Sequence, residues 1–159
     1  MKPITKILVA NRGEIALRVM RSAREMGIKT VAVYSEVDRR APHVLFADEA
    51  VCLGPAPSSE SYLKGDKIIA FAKELKVDAI HPGYGFLSEN AAFAAAVAAA
   101  DITFIGPREH AIKVMGDKLS AKAAVEHFDV PLVPGSDGEV TDVELSLIHI
   151  SEPTRLGFI

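Results

Sequence analysis

Short apolar runs alternate with amphipathic segments along the chain, and this alternation is the feature that most constrains its fold. The short runs predict strands at Lys6–Ala10, Lys29–Tyr34, Glu49–Leu53, Asp78–His81 and Ile102–Ile105, with a further strand starting in Val130–Val133. Helical periodicity and caps predict helices at Glu14–Met26, Asp66–Leu75, from Ser88 or Asn90 to Ala100, Pro107–Met115 and Asp117–Phe128. This order predicts an α/β fold, a mainly parallel sheet flanked by helices on both faces.

Ligands on parallel sheets bind beyond the carboxyl ends of the strands. The loops to consider are therefore Asn11–Glu14, Pro82–Asn90 and Gly106–Arg108. In the first, Gly13 allows close backbone approach, and a phosphate could dock on the helix N-terminus. Glu14 places a carboxylate there instead, and the loop is not a GxGxxG motif, so a capped turn is the favoured interpretation.

The loop from His81 to Phe86 contains two glycines on either side of Tyr84. A surface loop that carries two aromatic residues indicates a binding partner. The alternatives are that Phe86 folds back onto the core and that His81 is a buried histidine with satisfied hydrogen bonds rather than a base.

Lys118 is predicted to be the first residue of a helix whose N-cap is Asp117. A cation at that end opposes the helix dipole, which a bound nucleotide phosphate would compensate. The alternative, a solvated lysine, costs only about a few tenths of a kcal/mol. From the residues alone the two interpretations remain open.

The composition excludes several classes of function. A net charge of −3 without a basic cluster argues against nucleic acid as a partner. Cys52 is the only cysteine, which excludes an internal disulfide and a cysteine-rich zinc site and favours a reducing compartment, the cytoplasm. The apolar run Ala91–Ala100 is too short to cross a membrane. The isolated residues His43, His110 and His127 are expected at the surface, and no metal-ligand spacing is present.

Six motifs, in order along the chain, resemble those of biotin carboxylases, including the subunits of acetyl-CoA and propionyl-CoA carboxylases and part of pyruvate carboxylase. They are Ile7–Ala16, Gly54–Pro57, His81–Asn90, Phe104–Pro107, Met115–Lys118 and Val133–Ser136. The resemblance implies the first domain of an ATP-grasp ligase, a Rossmann-like pre-ATP-grasp domain. Such an enzyme uses ATP, magnesium and bicarbonate to carboxylate biotin on a carrier protein.

The same resemblance assigns roles to individual residues. It implies that Lys118 binds ATP and that Tyr84 and Gly85 lie at the pocket for biotin and bicarbonate. Arg21 and Glu25 match positions at the family's dimer interface. A biotin carboxyl carrier protein and a carboxyltransferase are the implied partners.

The resemblance also implies what is absent from these 159 residues. The glycine-rich lid, the metal-binding glutamates and the bicarbonate-binding lysine and arginine of the family have no counterpart here, so no catalytic or metal-binding residue is assigned and the chain alone is expected to be inactive. Residues 1–144 are interpreted as the biotin carboxylase N-terminal domain. Residues 145–159 read like a translated sequencing adaptor and are interpreted as a non-native tail. The alternatives are a fragment of another ATP-grasp ligase and a non-catalytic nucleotide-binding domain.

Overall fold

The computed structural model describes residues 3–128 and residue 131, apart from the side chains of Lys118 and His127. The chain divides into two compact units, Met1–Lys113 and Val114–Ile159. The strand expected within Val130–Val133 and the tail expected at 145–159 lie outside the described residues.

Parallel strands form one sheet in the first unit. Their bounds are β1 Lys6–Val9, β2 Lys29–Ser35, β3 Glu49–Gly54, β4 Ala79–His81 and β5 Thr103–Phe104. The strand order is β3-β2-β1-β4-β5, so β1 lies at the centre. Leu8 of β1 pairs with Val31 of β2 on one side and with Ile80 of β4 on the other. The predicted parallel sheet is confirmed.

Helices lie between consecutive strands and after β5. They are α1 Gly13–Glu25, α2 Pro42–Phe46, α3 Gly65–Glu74, α4 Ala91–Ala99, α5 Glu109–Gly116 and α6 Lys118–Val125. Of the two predicted caps of α4, Ser88 and Asn90, the structure uses Asn90, whose side-chain oxygen accepts a hydrogen bond of 2.9 Å from the Phe93 amide. The predicted N-cap of α6 is Asp117, which accepts from the amides of Leu119 and Ser120.

Alternating residues of β1 supply the two faces of the sheet, because side chains point to opposite sides along a strand. Ile7 and Val9 pack in a cluster with Met20 of α1. Leu8 and Ala10 belong to a second cluster, which contains Ile68 of α3, Phe93 of α4 and Tyr62, among others. Helices therefore cover both faces of the sheet, as predicted, and β1 is buried on both sides.

Helix α2 is the main difference from the predicted elements. Its five residues follow a short 3₁₀ turn at Glu36–Asp38, in a stretch for which the sequence predicts no helix or strand. Pro42 starts this helix because its fixed φ suits the first helical position. Among the described residues, no helix combines the length and apolar character needed to cross a bilayer.

Candidate functional site

The strand order reverses between β1 and β4, and the two chain segments that leave these strands form the candidate site. β1 leads into Asn11 and Arg12, and β4 leads into the loop from Pro82 to Phe86. The amide of Ala10 donates to the carbonyl oxygen of His81 at 2.8 Å and continues the pairing of the strands up to the loop. Such a reversal leaves a crevice at the carboxyl ends of the strands, where ligands of parallel α/β folds bind.

Asn11 connects the two segments through its buried side chain. Its amide nitrogen, Nδ2, donates to the carbonyl oxygens of Pro82 at 2.9 Å and Tyr84 at 2.8 Å. Its side-chain oxygen accepts from the Arg12 amide at 2.9 Å. Both donors of the side-chain amide and its acceptor are therefore used, and the loop is held against the end of β1.

The loop turns sharply through three residues with positive φ: Gly83 at 69°, Gly85 at 63° and Phe86 at 45°. A Cβ on Gly83 would lie 2.6 Å from Asn11 Nδ2, so glycine is needed there for conformation and for space. A Cβ on Gly85 would meet no atom within 4 Å, and Tyr84 is 71% exposed. The predicted pocket residues Tyr84 and Gly85 thus lie at the open apex of a tightly built loop.

Asp38 collects four hydrogen bonds beside this loop. Arg12 donates to its two carboxylate oxygens at 2.7 Å each, the Tyr62 hydroxyl donates at 2.6 Å, and the Ser35 hydroxyl donates at 3.3 Å. The hydrogen bonds from Arg12 hold the pKa of Asp38 well below its usual range, and the same pair raises the pKa of Arg12. Asp38 is therefore an ionised anchor and not a proton donor at neutral pH.

Tyr62 links Asp38 to the loop. Its hydroxyl accepts from the Ser35 amide at 2.9 Å while it donates to Asp38, and burial raises its pKa. Its ring stacks on the ring of Phe86, with centroids 5.4 Å apart and planes 18° apart. Phe86 therefore folds back onto Tyr62 at the edge of the core. It remains 36% exposed, so it is only partly buried.

His43 is fully buried, so the prediction that it lies at the surface is wrong. Its Nδ1 accepts from the Gly13 amide at 3.3 Å, and its Nε2 lies 3.3 Å from the carbonyl oxygen of Val33. With Nδ1 accepting, Nε2 carries the proton and donates to Val33. Burial lowers the pKa of His43, which favours this neutral form.

Two backbone amides at the N-terminus of α1 donate hydrogen bonds to side chains of the protein itself. Asn11 accepts from the Arg12 amide, and His43 accepts from the Gly13 amide. The Arg12 and Gly13 amides are therefore occupied, but Arg12, the N-cap residue, makes no side-chain cap hydrogen bond, so the capped-turn interpretation of the Asn11–Glu14 loop is met only in part.

His81 lies at the end of β4, half-buried, and its Nδ1 accepts from the Gly83 amide at 3.0 Å. Burial lowers the pKa of His81. Its neutral ring helps to shape the turn. This agrees with the interpretation of His81 as a hydrogen-bonded structural histidine rather than a base. His81 also lines a cavity of about 450 Å³ beside α1, together with Tyr84, Arg18, Val19 and Ile105, among others.

The remaining predicted site residues are Arg21, Glu25 and Lys118. Arg21 and Glu25 are exposed on α1. Lys118 is the first residue of α6, as predicted, and belongs to the second compact unit. Its side chain lies outside the described part, so its role in binding ATP stays a prediction. Among the described residues, no group of histidine, cysteine, aspartate and glutamate side chains is arranged to hold a metal ion.

The strand order and the loop at its reversal define a doubly wound α/β domain with a binding crevice. Residues 3–112 match the family model described as "Biotin carboxylase, N-terminal domain". The chain therefore belongs to the biotin carboxylase N-terminal domain family, which confirms the resemblance found in the sequence.

Relatives and solved structures agree with this membership. The chain is 60% identical over 139 residues to a biotin carboxylase of Allochromatium vinosum, which covers 87% of this chain and 31% of that protein. It is 56% identical over 143 residues to the mitochondrial propionyl-CoA carboxylase alpha chain of Homo sapiens, and this match covers 90% of this chain and 20% of that protein. It thus spans less than a third of these relatives.

A similar solved structure is the biotin carboxylase domain dimer of the 2-oxoglutarate carboxylase from Hydrogenobacter thermophilus, in complex with MgADP, ADP and bicarbonate. The TM-score is 0.86 at 49% identity, and the match covers 92% of this chain and 32% of that chain. The likeness confirms the predicted α/β fold class.

We expect Gly83→Ala to destabilise the chain more than Gly85→Ala. Both glycines have positive φ, and an alanine there costs about 1–2 kcal/mol. Gly83→Ala adds a collision with Asn11, whereas Gly85→Ala enters open space. Denaturant unfolding of both variants gives the difference, and equal losses would contradict the packing of Asn11 against Gly83.

We expect Asp38→Asn to cost about 2 kcal/mol at pH 7, because it removes hydrogen bonds to a charged acceptor. Since folding lowers the pKa of Asp38, its contribution is complete above the usual value of 3.8 and is lost as the pH falls further. The difference in unfolding free energy between the original chain and Asp38→Asn should therefore become smaller as the pH falls from 5 to 2.

Unfolding free energies over that pH range measure the effect. The matched control is Glu36→Gln, an exposed acid in the same 3₁₀ turn. A pH-independent difference for Asp38→Asn, or the same trend in the control, would contradict the role of the ion pair.

Proposed function

We propose that this chain forms the N-terminal domain of an ATP-dependent biotin carboxylase, a ligase that carboxylates biotin on a carrier protein. The observation that carries the proposal is the loop from Pro82 to Phe86, which presents Tyr84 and Gly85 at the strand reversal of a domain of this family. The ADP, magnesium and bicarbonate in the complex from Hydrogenobacter thermophilus support the choice of substrates.

We assign to Tyr84 and Gly85 a place at the pocket for biotin and bicarbonate. The exposed ring of Tyr84 offers an apolar face and a hydroxyl, and Gly85 lets a ligand approach the backbone closely. Bound ATP with magnesium would supply the phosphoryl group that activates bicarbonate as carboxyphosphate. The residues of this chain bind and orient in that reaction, and none of them is assigned a chemical step.

We assign to Lys118 the binding of ATP. It begins α6, where the helix dipole favours an anion such as a phosphate, although Asp117 already accepts hydrogen bonds from the Leu119 and Ser120 amides. The lysine charge adds to that attraction at the end of the helix where a cation is otherwise unfavourable.

The exposed pair Arg21 and Glu25 on α1 is proposed as part of a homodimer interface of the parent enzyme. The dimer named for the Hydrogenobacter thermophilus domain supports this proposal. A biotin carboxyl carrier protein and a carboxyltransferase are the proposed partners, since the carboxylated biotin needs a carrier and an acceptor reaction. A cytoplasmic location is proposed from the single cysteine.

The direct test is a chimera in which this chain's aligned residues replace the matching segment of the Allochromatium vinosum biotin carboxylase. We expect ATP- and bicarbonate-dependent carboxylation of free biotin within about tenfold of the relative's rate, since a correctly seated domain avoids the roughly 100-fold loss caused by a 1 Å misplacement. The 159-residue chain by itself should show no such activity.

The relative's downstream segment, without any N-terminal domain, is the negative control. A folded but inactive chimera would overturn the assignment of the domain. Turnover of ATP by the 159-residue chain with bicarbonate and biotin would overturn its proposed inactivity.

We also propose that residues 1–144 are the family domain and that residues 145–159 are not native to it. The run Leu145–Arg155 reads like a translated adaptor, a kind of sequence that is excluded from arguments about fold. Sequencing the source DNA across the codons of Glu144 and Leu145, with no transposase adaptor, should show the frame continuing into different codons. Recovery of the Leu145–Ile159 codons would contradict the proposal.

A further inference from the structure

Phe86 adopts a backbone conformation that only its surroundings can maintain. Its φ of 45° lies in the left-handed region, which is unfavourable for a large side chain. It follows Gly85, whose φ is also positive and which a Cβ would not crowd. The Ser88 amide closes the turn by donating to the Gly85 carbonyl oxygen at 2.9 Å, and the contact of the Phe86 ring with Tyr62 is the side-chain support of this unfavourable conformation.

The Tyr62 ring is a fixed platform for that contact. Tyr62 is almost completely buried, and its hydroxyl both accepts from the Ser35 amide and donates to Asp38. Asp38 is in turn fixed by two hydrogen bonds from Arg12. Arg12 follows Asn11 in the segment after β1, and its guanidinium carbon lies 5.8 Å from the Tyr62 ring centre.

The loop is therefore held from two sides. Asn11 binds the carbonyl oxygens of Pro82 and Tyr84 at its start, and Tyr62 stacks on Phe86 at its end. Between these two supports, the Tyr84 side chain and Gly85 remain open to solvent. Movement of Phe86 would move Gly85 directly, since the two residues are adjacent.

We propose that Phe86, stacked on the Tyr62 platform that Asp38 and Arg12 fix, is a positioning residue that holds Tyr84 and Gly85 in the geometry required for biotin and bicarbonate. Phe86 itself touches no reacting atom in this role. The inference rests on the proposed function only for the identity of the substrates, since the positioning of the loop concerns this chain alone.

Hydrogen exchange of backbone amides in the 159-residue chain tests the positioning. The loop amides are Gly83, which donates to His81, and Ser88, which donates to the Gly85 carbonyl oxygen at 2.9 Å. In Phe86→Leu we expect both to exchange about tenfold faster relative to the Ala10 amide in the core, the scale of a lost aromatic stack.

Two further variants separate positioning from general destabilisation. Phe86→Tyr keeps a ring on Tyr62 and should restore the original ratio of loop to core exchange. Phe104→Leu removes a ring from another pair, Phe93 and Phe104, whose centroids are 6.1 Å apart, and should leave that ratio unchanged. An unchanged ratio in Phe86→Leu, or an equal change in Phe104→Leu, would overturn the inference.

The chimera with the Allochromatium vinosum enzyme gives the functional measurement. Phe86→Leu should raise the KM for biotin about tenfold and leave the KM for ATP unchanged, and Phe86→Tyr should restore the KM for biotin. An equal change in both KM values, or no change, overturns the link to substrate geometry. If the unsubstituted chimera is inactive, the proposed function fails, and hydrogen exchange still decides whether Phe86 positions the loop.

Discussion

The side-chain amide of Asn11 joins two segments that are distant in sequence. One segment follows β1 and the other follows β4. Its bond to the Pro82 carbonyl oxygen joins residues 71 positions apart, at the point where the sheet reverses its order. Pro82 and Tyr84 contribute only carbonyl oxygens to this contact, so their side chains are left for other uses. The need for Asn11 to lie against Gly83 also explains why that position has no Cβ.

Asp38, the carboxylate paired with Arg12, is arranged for structure rather than for proton transfer. Asp38 receives hydrogen bonds from a guanidinium and two hydroxyls, and those from Arg12 keep its pKa low. His43 is kept neutral by burial between Gly13 and Val33. No buried side-chain nitrogen or oxygen in the described part of the chain lacks a partner. The crevice is consequently preorganised before any ligand arrives.

The regular elements could be predicted because each shows its own period over several residues. Helix α2 could not, since the five residues Pro42–Phe46 are too few to show a period. The cluster of Arg12, Asp38 and Tyr62 was missed because its members come from three separate segments, and only folding brings them together. The surface position predicted for His43 was wrong because its burial depends on contacts with Gly13 and Val33, which lie in other segments of the chain.

The loop after β4 shows the same distinction between local sequence patterns, which can be predicted, and contacts between separate segments, which cannot. The exposed loop with Tyr84 and Gly85 could be predicted because glycines around an aromatic residue after a strand are a local pattern, whereas the place of these residues at a substrate pocket stays a proposal. Phe86 was left between a surface and a core role, and the structure gives it a share of both. No local pattern specifies its partner, Tyr62, which lies in a different segment of the chain.

The central position of β1 has a consequence for synthesis of the protein. Among the strands of this sheet, β1 is made first and needs neighbours on both sides, yet β4 follows only after another 70 residues or so. At about 5–20 residues per second, that delay is on the order of several seconds. Until then Leu8 and Val9 expose an apolar, unpaired edge, so the nascent chain passes through a stage that a chaperone can recognise.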